Sequence, residues 1–439
     1  MDIFIKAVQL ILSLSILVIL HEFGHFFFAR LFKIRVEKFY LFFDPWFSLF
    51  KFKKGETEYG VGWLPLGGYV KISGMIDESM DKEAMAQPAQ PWEFRSKPAW
   101  QRLLVMVGGV VVNFITALFI FWMILFKWGE SYIPVETAKY GLYYHEIGHE
   151  IGLQDGDIVL KVDDFDVESS SDIARLILIE KGKILTVKRG EEIISVSIPE
   201  SYDQTFLRNE VKDFAGIRTP VVVAEVVKNS NASEAGLLIG DSIVSINDKS
   251  TAFFNEFTEE MQNQKSNDID LGIYRNGQPM TIHAQVTENG TLGFDASGAT
   301  GYAEIKMHKY GLWEAFPIGV KMGFDTLINY IKQMRLIFTK EGAKQVGGFG
   351  AMGKLFPANW SWLIFWSNTA LISVILAFMN ILPIPALDGG HVLFLLYEIV
   401  TGRKPGDKFM EYAQVTGMIL LLGLLLFANG NDIFKLFSK

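Results

Sequence analysis

The chain has 439 residues, of which 50% are hydrophobic, and it contains no cysteine. The absence of cysteine excludes disulfides and thiolate metal sites, so any metal ligand must be His, Asp or Glu. The formal net charge of -8 argues against a nucleic-acid partner.

Four apolar segments are predicted to cross a membrane as helices. The first lacks an early basic region and a small-residue cleavage site, so we interpret it as a retained helix and not as a signal peptide. The fourth is short, and Gln414 leaves the position of its start open. In chain order the segments are 3–28, 103–126, 362–382 and 413–427.

The first segment contains the sequence His-Glu-Phe-Gly-His at residues 21–25. Residues four apart share one face of a helix, so His21 and His25 can present two imidazoles to one metal ion. Glu22 lies next to that face and can act as a general base toward water. Ionisable groups inside a span are costly and usually functional, which favours a catalytic site over two structural histidines.

The region between the second and third segments contains a repeat. The sequences "GLQDGDIVLKVDDFDV" from Gly152 and "GLLIGDSIVSINDKST" from Gly236 both read Gly-Leu-x-x-Gly-Asp, followed by an apolar strand and a polar turn. Each repeat is predicted to hold one helix, at 171–181 and 253–264. The motif resembles that of PDZ domains in a circularly permuted bacterial form. Such modules usually bind extended peptides by strand addition, and a role as a spacer or size filter is the alternative.

A second His-Glu-x-x-His occurs at residues 145–149. Neighbouring glycines weaken a helix there, and the equivalent place in the second repeat has no histidine. A zinc site needs a third ligand, and the other histidines of the region, His283 and His308, are distant in sequence. We therefore expect His145 and His149 to be exposed loop residues that match the pattern by chance.

Residues 312–337 carry apolar side chains along nearly one face of a helix. This pattern predicts a surface-lying amphipathic helix that links the repeats to the third span. A gating role and simple packing against the spans both remain open. The apolar residues are Trp313, Phe316, Val320, Phe324, Leu327, Ile331 and Met334, and the charged ones opposite are Lys321, Asp325, Lys332 and Arg335.

Two histidines leave a catalytic zinc one protein ligand short. In "FMNILPIPALDGGHVLF", residues 378–394, Pro383 and Pro385 interrupt the helix after the third span. Irregular backbone at membrane depth is tolerated only where it is buried in protein or lines a wet cavity. Asp388 at the end of this stretch is therefore the favoured third ligand. His391 is either the alternative ligand or a residue that supports the ligands without binding the metal.

Basic residues next to the span ends predict the orientation. The loop after the first span, the segment before the second and the connection between the third and fourth are basic and therefore predicted to be cytoplasmic. Both termini and region 127–360 then lie outside. The basic residues are Arg30, Lys33, Arg35, Lys38, Arg95, Lys97, Arg102, Arg403, Lys404 and Lys408.

The first-span motif, combined with Asn-x-x-Pro-x-Pro-x-Leu-Asp-Gly at 380–389, resembles the site-2 protease family of intramembrane zinc metalloproteases. The order span, cytoplasmic loop, span, two PDZ-like domains, span, span is similar to that of its bacterial RseP branch. Residues 63–74, "WLPLGGYVKISG", resemble the family's membrane-associated β-hairpin, and residues 101–114 resemble its second-span entry. Val110 stands where proline is common, and residues 41–50 depart from the usual Gly-rich form.

The resemblance implies a polytopic α-helical membrane protein with four transmembrane helices, two tandem extramembrane PDZ-like α+β domains and a membrane-associated β-hairpin. The implied enzyme lies in the bacterial inner membrane among lipid, with periplasmic termini and PDZ-like domains, and serves the envelope stress response. It would cleave single-span substrates, such as an anti-sigma factor already trimmed by a site-1-type protease, or remnant signal peptides. The alternative is a catalytically inactive membrane scaffold whose PDZ-like domains recruit partners.

The resemblance also assigns site residues. It implies one Zn²⁺ per chain held by His21, His25 and Asp388, with Glu22 as catalytic acid and base and Asn380 as a contact to the substrate or oxyanion. Pro383, Pro385 and Leu387 are implied as shaping residues. The implied substrate-binding residues are Gly68, Tyr69, Val70, Lys71, Ile72, Pro383 and Pro385.

The predicted domain boundaries follow from these assignments. The membrane part comprises helix 1 (1–30), a cytoplasmic loop (31–102) with the hairpin (58–75), and helix 2 (103–126). The PDZ-like domains are 127–218 and 219–305. The rest comprises linker helices (306–361), helix 3 with its motif (362–391), a cytoplasmic helix and loop (392–412), helix 4 (413–428) and a tail (429–439).

Overall fold

The computed structural model describes residues 2–65, 67–75, 88–209, 211, 213–299 and 301–437. The chain forms two compact units. The helical unit consists of residues 1–129 and 309–439, and the strand-rich unit consists of residues 130–308.

Four helices of the helical unit are long and apolar enough to cross a membrane, which confirms the predicted polytopic membrane protein. They are α1 (Asp2–Leu31), α2 (Ala99–Trp128), α11 (Trp362–Ile381) and α13 (Asp407–Phe437). The fourth is longer than the predicted segment 413–428, and Gln414 lies inside it. Between these helices the helical unit contains α8 (Leu312–Ile337), α9 (Lys340–Gln345), α10 (Phe349–Lys354) and α12 (Asp388–Thr401).

Helix α8 has the predicted bounds but does not bury its large apolar side chains. Its buried residues are the small ones Ala315, Gly319 and Gly323, whereas Trp313 is 77% exposed. The indole Nε1 of Trp122 in α2 donates a hydrogen bond to the carbonyl of Leu312 at 2.7 Å. The helix therefore packs on α2 through its small residues.

A four-stranded sheet follows α1, and its topology corrects the predicted hairpin at 58–75. The strands are β1 (Val36–Leu41), β2 (Phe43–Lys54), β3 (Thr57–Leu64) and β4 (Tyr69–Ile72), in the order β2-β3-β1-β4. The hairpin is formed by β2 and β3, whereas β4 pairs antiparallel with β1. Val36 and Ile72 are buried in one core together with residues of α1, α2 and α12. Because β1 pairs with β3 as well as with β4, it lies between them.

The strand-rich unit contains two cores, each with its own sheets. The first holds β6 (Leu142–Tyr144), α3 (Glu146–Glu150), β7 (Ile158–Val162), β8 (Phe165–Asp166), α4 (Ser170–Ile179), β9 (Ile184–Arg189), β10 (Glu192–Ser197), α5 (Tyr202–Arg208) and β11 (Ala215–Ile217). The second holds β12 (Val221–Val226), α6 (Asn231–Glu234), β13 (Ser242–Ile246), β14 (Lys249–Ser250), α7 (Phe254–Asn263), β15 (Asp268–Arg275), β16 (Gln278–Gln285) and β17 (Phe294–Ala296). Strands β5 (Glu130–Tyr132) and β18 (Lys306–His308) pair at the two ends of the unit.

The repeated Gly-Leu-x-x-Gly-Asp motif makes the same contacts in both halves. Asp157 is buried and accepts two hydrogen bonds from Arg189, at 2.8 and 2.7 Å, and Arg189 also donates to the carbonyl of Gly152 at 2.7 Å. Asp241 receives the same pair from Arg275, at 2.8 and 2.7 Å. Arg275 also bonds to the carbonyl of the motif's first glycine, at 2.8 Å. The aspartate therefore ties the motif to the strand that crosses it.

Removing one of these charges should loosen its half of the unit. Burial alone would raise the pKa of Asp241, but the hydrogen bond from Arg275 holds that pKa below its usual value. The carboxylate thus adds stability above about pH 4, and this contribution is lost as the pH falls through the pKa of the folded state. We expect Asp241→Asn to lower the free energy of opening of β13 and β15 by about 1–3 kcal/mol at neutral pH.

Hydrogen exchange of the full-length protein in detergent would measure this difference, which should shrink below about pH 4. The control is Asp248→Asn, since Asp248 is an exposed turn residue of the same half. Equal protection in both variants would contradict the role of Asp241.

Candidate metal centre

The two histidines of the first motif lie on one face of α1, as their spacing predicts. Their Nε2 atoms are 3.2 Å apart, and the rings meet edge to face with centroids 4.8 Å apart. His25 is buried, and His21 is partly buried. Both imidazoles therefore point into the interior of the helical unit.

Asp388 reaches the same point from the other end of the chain. It is the first residue of α12, after the break between Ile381 and Asp388. Its Oδ2 lies 3.2 Å from Nε2 of His21 and 3.4 Å from Nε2 of His25. Within the described part of the chain, these three residues are the one group of His, Asp or Glu side chains close enough to share a metal ion. We call such a set a metal-type group.

The chemistry of this group fits zinc. Nδ1 of His25 donates to the carbonyl of Val105 at 2.8 Å, which leaves Nε2 with a free lone pair. Oδ2 of Asp388 is buried and has no hydrogen-bond partner among the described residues, despite its short distances to both imidazoles. Two nitrogen donors and one carboxylate oxygen, all directed at one point, form the three-ligand set of a catalytic zinc site.

Glu22, Asn380 and His391 take different places around this group. A Cβ atom at Gly68 would lie 3.5 Å from Cγ of Glu22, so Glu22 faces the segment that leads into β4. Nδ2 of Asn380 lies 3.5 Å from Nε2 of His21. His391 is partly buried in the first turn of α12 and does not belong to the metal-type group. The structure therefore brings Asn380 next to His21 and leaves His391 outside the group of three residues.

Asn113 was missed by the sequence analysis. It is fully buried, its Nδ2 lies 3.3 Å from Nδ1 of His21, and its Oδ1 has no partner among the described residues. The opposite amide orientation would let Oδ1 accept the proton of Nδ1 and leave Nε2 free for a metal. Ser373 holds the Asn113 backbone by donating to its carbonyl at 2.7 Å. The available signal was a lone asparagine inside an apolar segment.

Close packing of α2 against α1 fixes the two imidazoles. A Cβ atom at Gly109 would come within 2.5 Å of Nε2 of His25 and 2.6 Å of Cε1 of His21. Any larger residue at this position would displace both rings. Helix α2 runs without interruption past Val110.

The substrate-binding residues predicted on the sheet lie on an edge strand. Among the described residues, strand β4 pairs with β1 on one side, and no strand pairs with its other edge. The side chain of Ile72 is buried in the core, and that of Lys71 lies 3.4 Å from Glu37. Beyond the break in the third span, Pro383 is exposed and Pro385 is partly buried.

The second His-Glu-x-x-His does not form a loop, which corrects one expectation. Residues Glu146–Glu150 form the short helix α3, and His145 caps its N-terminus by accepting a hydrogen bond from Ile147. His149 is exposed and bonds to Asp155 at 3.0 Å. Neither histidine belongs to a metal-type group in the described part of the chain.

Comparison with known proteins identifies the family. Residues 9–424 match peptidase family M50. The chain belongs to this family. Family M50 contains the site-2 proteases, which depend on zinc, so this M50 protein is a site-2-type metalloprotease. The predicted enzyme class and cofactor are thereby confirmed.

The relatives that match nearly the whole chain include two regulators of sigma-E protease. The regulator of sigma-E protease RseP of Escherichia coli is 29% identical over 470 residues, covering 97% of this chain and 98% of the relative. The regulator of sigma E protease of Haemophilus influenzae is 28% identical over 456 residues, covering 97% and 98%.

Loss of Asp388 should weaken zinc binding far more than loss of His391. Because a ligand that binds only the folded state stabilises it, we expect Asp388→Ala to retain less zinc and to melt at a lower temperature in detergent. The gap to wild type should narrow when a chelator strips both proteins. His391→Ala should change zinc content and melting little, and stronger zinc loss in that variant would transfer the ligand role to His391.

Proposed function

We propose that this M50 protease hydrolyses peptide bonds within the membrane-spanning segments of single-span substrates. The observation that carries the proposal is the meeting of His21, His25 and Asp388 inside the unit that contains the four apolar helices. Glu22 lies beside them and faces the segment that leads into the edge strand. Ionisable groups inside membrane spans are energetically costly and usually mark a functional site.

In this proposal each residue of the centre has one role. His21, His25 and Asp388 hold one zinc ion, which when bound supplies a Lewis acid for the scissile carbonyl. Glu22 takes the proton of the attacking water and passes it to the leaving amine. Asn380, adjacent to His21, donates a hydrogen bond to the substrate backbone or to the developing oxyanion.

Strand β4 would hold the substrate in an extended form. A helix hides its carbonyls in hydrogen bonds, so hydrolysis within a span requires the substrate to unwind first. An open strand edge offers replacement partners for the released backbone groups. The proximity of Gly68 to Glu22 supports this role, because a strand added at β4 would pass the general base. Ile72 would take part through its backbone, since its side chain is buried.

Residues 41–50, which depart from the usual Gly-rich form of the family, stabilise the position of β4. The hydroxyl of Tyr69 donates to Asp44 at 2.8 Å, and Ser48 donates to the other carboxylate oxygen at 3.0 Å. The Tyr69 ring also stacks on Tyr40 and Phe43. Burial, together with the hydrogen bond to Asp44, raises the pKa of Tyr69 well above its usual range. The start of β4 is thus tied to β1 and β2 at any physiological pH.

The strand-rich unit would act on the substrate before cleavage. Its two cores, each with a Gly-Leu-x-x-Gly-Asp motif held by an arginine, support two PDZ-like domains. In this proposal, these domains lie on the outer side of the membrane. There they would exclude proteins with bulky outer domains. The relatives are named as regulators of sigma-E protease, and the substrate in this proposal is an anti-sigma factor that a site-1-type protease has trimmed beforehand. The location would be a bacterial inner membrane, with both termini periplasmic.

The proposal is tested by removing the general base. We expect Glu22→Gln to abolish cleavage of a single-span reporter while zinc remains bound at one equivalent, because Glu22 is assigned as base and not as ligand. Purified protein, metal analysis and a gel assay of the reporter would measure both. Turnover within about tenfold of wild type, equivalent to only 1.4 kcal/mol, would refute the assignment. An inactive scaffold would show no cleavage in either protein.

Strand addition can be tested by disulfide cross-linking, since the chain has no cysteine of its own. In a Glu22→Gln background, Lys71→Cys should form a cross-link with a single cysteine placed in the span of the reporter. The matched control is Lys51→Cys, which lies on β2, the opposite edge of the same sheet. Equal cross-linking at both positions would argue against binding at β4.

A further inference from the structure

Helix α13 contributes no residue to the metal-type group but contacts the segment that carries Asp388. Gln414 and Gly417 are three residues apart in α13 and therefore lie on one face of the helix. Gln414 contacts Ala386, and Gly417 contacts Pro385. These two residues precede Asp388 by two and three positions. A polar glutamine in an apolar span calls for an explanation, because such groups are costly there.

The first contact is a hydrogen bond to a strained backbone. Ala386 has a φ of 76°, the left-handed conformation that residues with a Cβ atom rarely adopt. Such a conformation persists only where its surroundings hold it. The N–H of Ala386 donates to Oε1 of Gln414 at 3.2 Å. By contrast, the N–H groups of Ile384 and Leu387 bond within the segment itself, to Leu382 and Ile384.

The second contact is a close approach that only glycine permits. A Cβ atom at position 417 would lie 1.8 Å from the carbonyl oxygen of Pro385 and 2.4 Å from its carbon. Because those atoms belong to the backbone, they cannot move aside as a flexible side chain would. Gly423 on the same helix differs, since a Cβ atom there would meet nothing within 4 Å.

We propose that Gln414 and Gly417 are positioning residues that hold Pro385 and Ala386, and thereby direct the Asp388 carboxylate at the two imidazoles. The inference rests on the proposed role of Asp388 as a metal ligand. In this arrangement the hydrogen bond secures the left-handed residue, and the missing side chain at Gly417 lets α13 support the segment from behind. The fourth span then acts on the metal centre without touching the metal.

The test compares four variants of the full-length protein in detergent: Gln414→Leu, Gly417→Ala, Gly423→Ala and Asp388→Ala. Zinc affinity is measured by competition with a chelator, and the ligand field by the visible absorption of the Co²⁺-substituted protein. We expect Gln414→Leu and Gly417→Ala to bind zinc about 10–100-fold more weakly than wild type and to shift the cobalt bands. Gly423→Ala should match wild type in both measurements.

A fifth variant separates positioning from packing. Gln414→Glu keeps an acceptor oxygen at the same distance along the side chain, so its zinc affinity should lie closer to wild type than that of Gln414→Leu. General destabilisation would lower the melting temperature of the metal-free protein but would not shift the cobalt bands.

Wild-type zinc affinity and wild-type cobalt bands in Gln414→Leu would overturn the inference, even if Gly417→Ala failed to fold. Wild-type zinc affinity in Asp388→Ala would overturn the metal-ligand assignment and the inference with it. Weak zinc binding in Asp388→Ala combined with wild-type behaviour of Gln414→Leu would refute the inference alone.

Discussion

Two imidazoles from α1 and a carboxylate from the start of α12 meet at one point inside the helical unit. Burying charged and polar groups in a membrane interior costs free energy, so the surrounding structure has to stabilise them. The Gly109 position lets α2 approach both rings. Val105 and Asn113 contact the Nδ1 atoms of His25 and His21. The carboxylate of Asp388 follows the break after the third span. A zinc ion at this point would join the first span to the last part of the chain, so catalysis and folding share one interaction.

The sequence was sufficient for the centre itself but not for its surroundings. His21 and His25 follow from helical spacing, and Asp388 follows from a proline-broken span that ends in a carboxylate. Asn113 and Gln414 carry a weaker signal, because a lone polar residue in an apolar segment does not reveal its partner. Their partners come from distant parts of the chain, and only packing determines which residues meet.

The strand pairing shows a different limit. The resemblance of residues 63–74 to the family's β-hairpin predicted a hairpin at 58–75, in which β3 and β4 would pair. In the structure β4 pairs with β1 instead, and both strands contribute residues to a core shared with the helices. The packing of α8 shows a related limit, because the apolar residues at 312–337 do not reveal which side chains meet α2. In soluble proteins large apolar residues turn inward, whereas helices in membranes approach one another through small residues, as Ala315, Gly319 and Gly323 do here.

The corrected sheet makes the proposed chemistry more coherent than the expected hairpin did. In a two-stranded hairpin, β4 would have had β3 as its only partner, and marginal stability in water is typical of such pairs. With β1 between them, β4 is backed by three strands and a core shared with α1, and no described strand pairs with its outer edge. An open edge is normally a liability, since it invites pairing with other chains. Beside Glu22 that same property becomes useful, because an unwound substrate has backbone groups that must find partners before any bond can be cut. In the proposed mechanism, the hydrogen bonds from Tyr69 to Asp44 and from Ala386 to Gln414 would serve two sides of one reaction. The first would hold the strand that presents the peptide, and the second would hold the segment that presents the metal ligand.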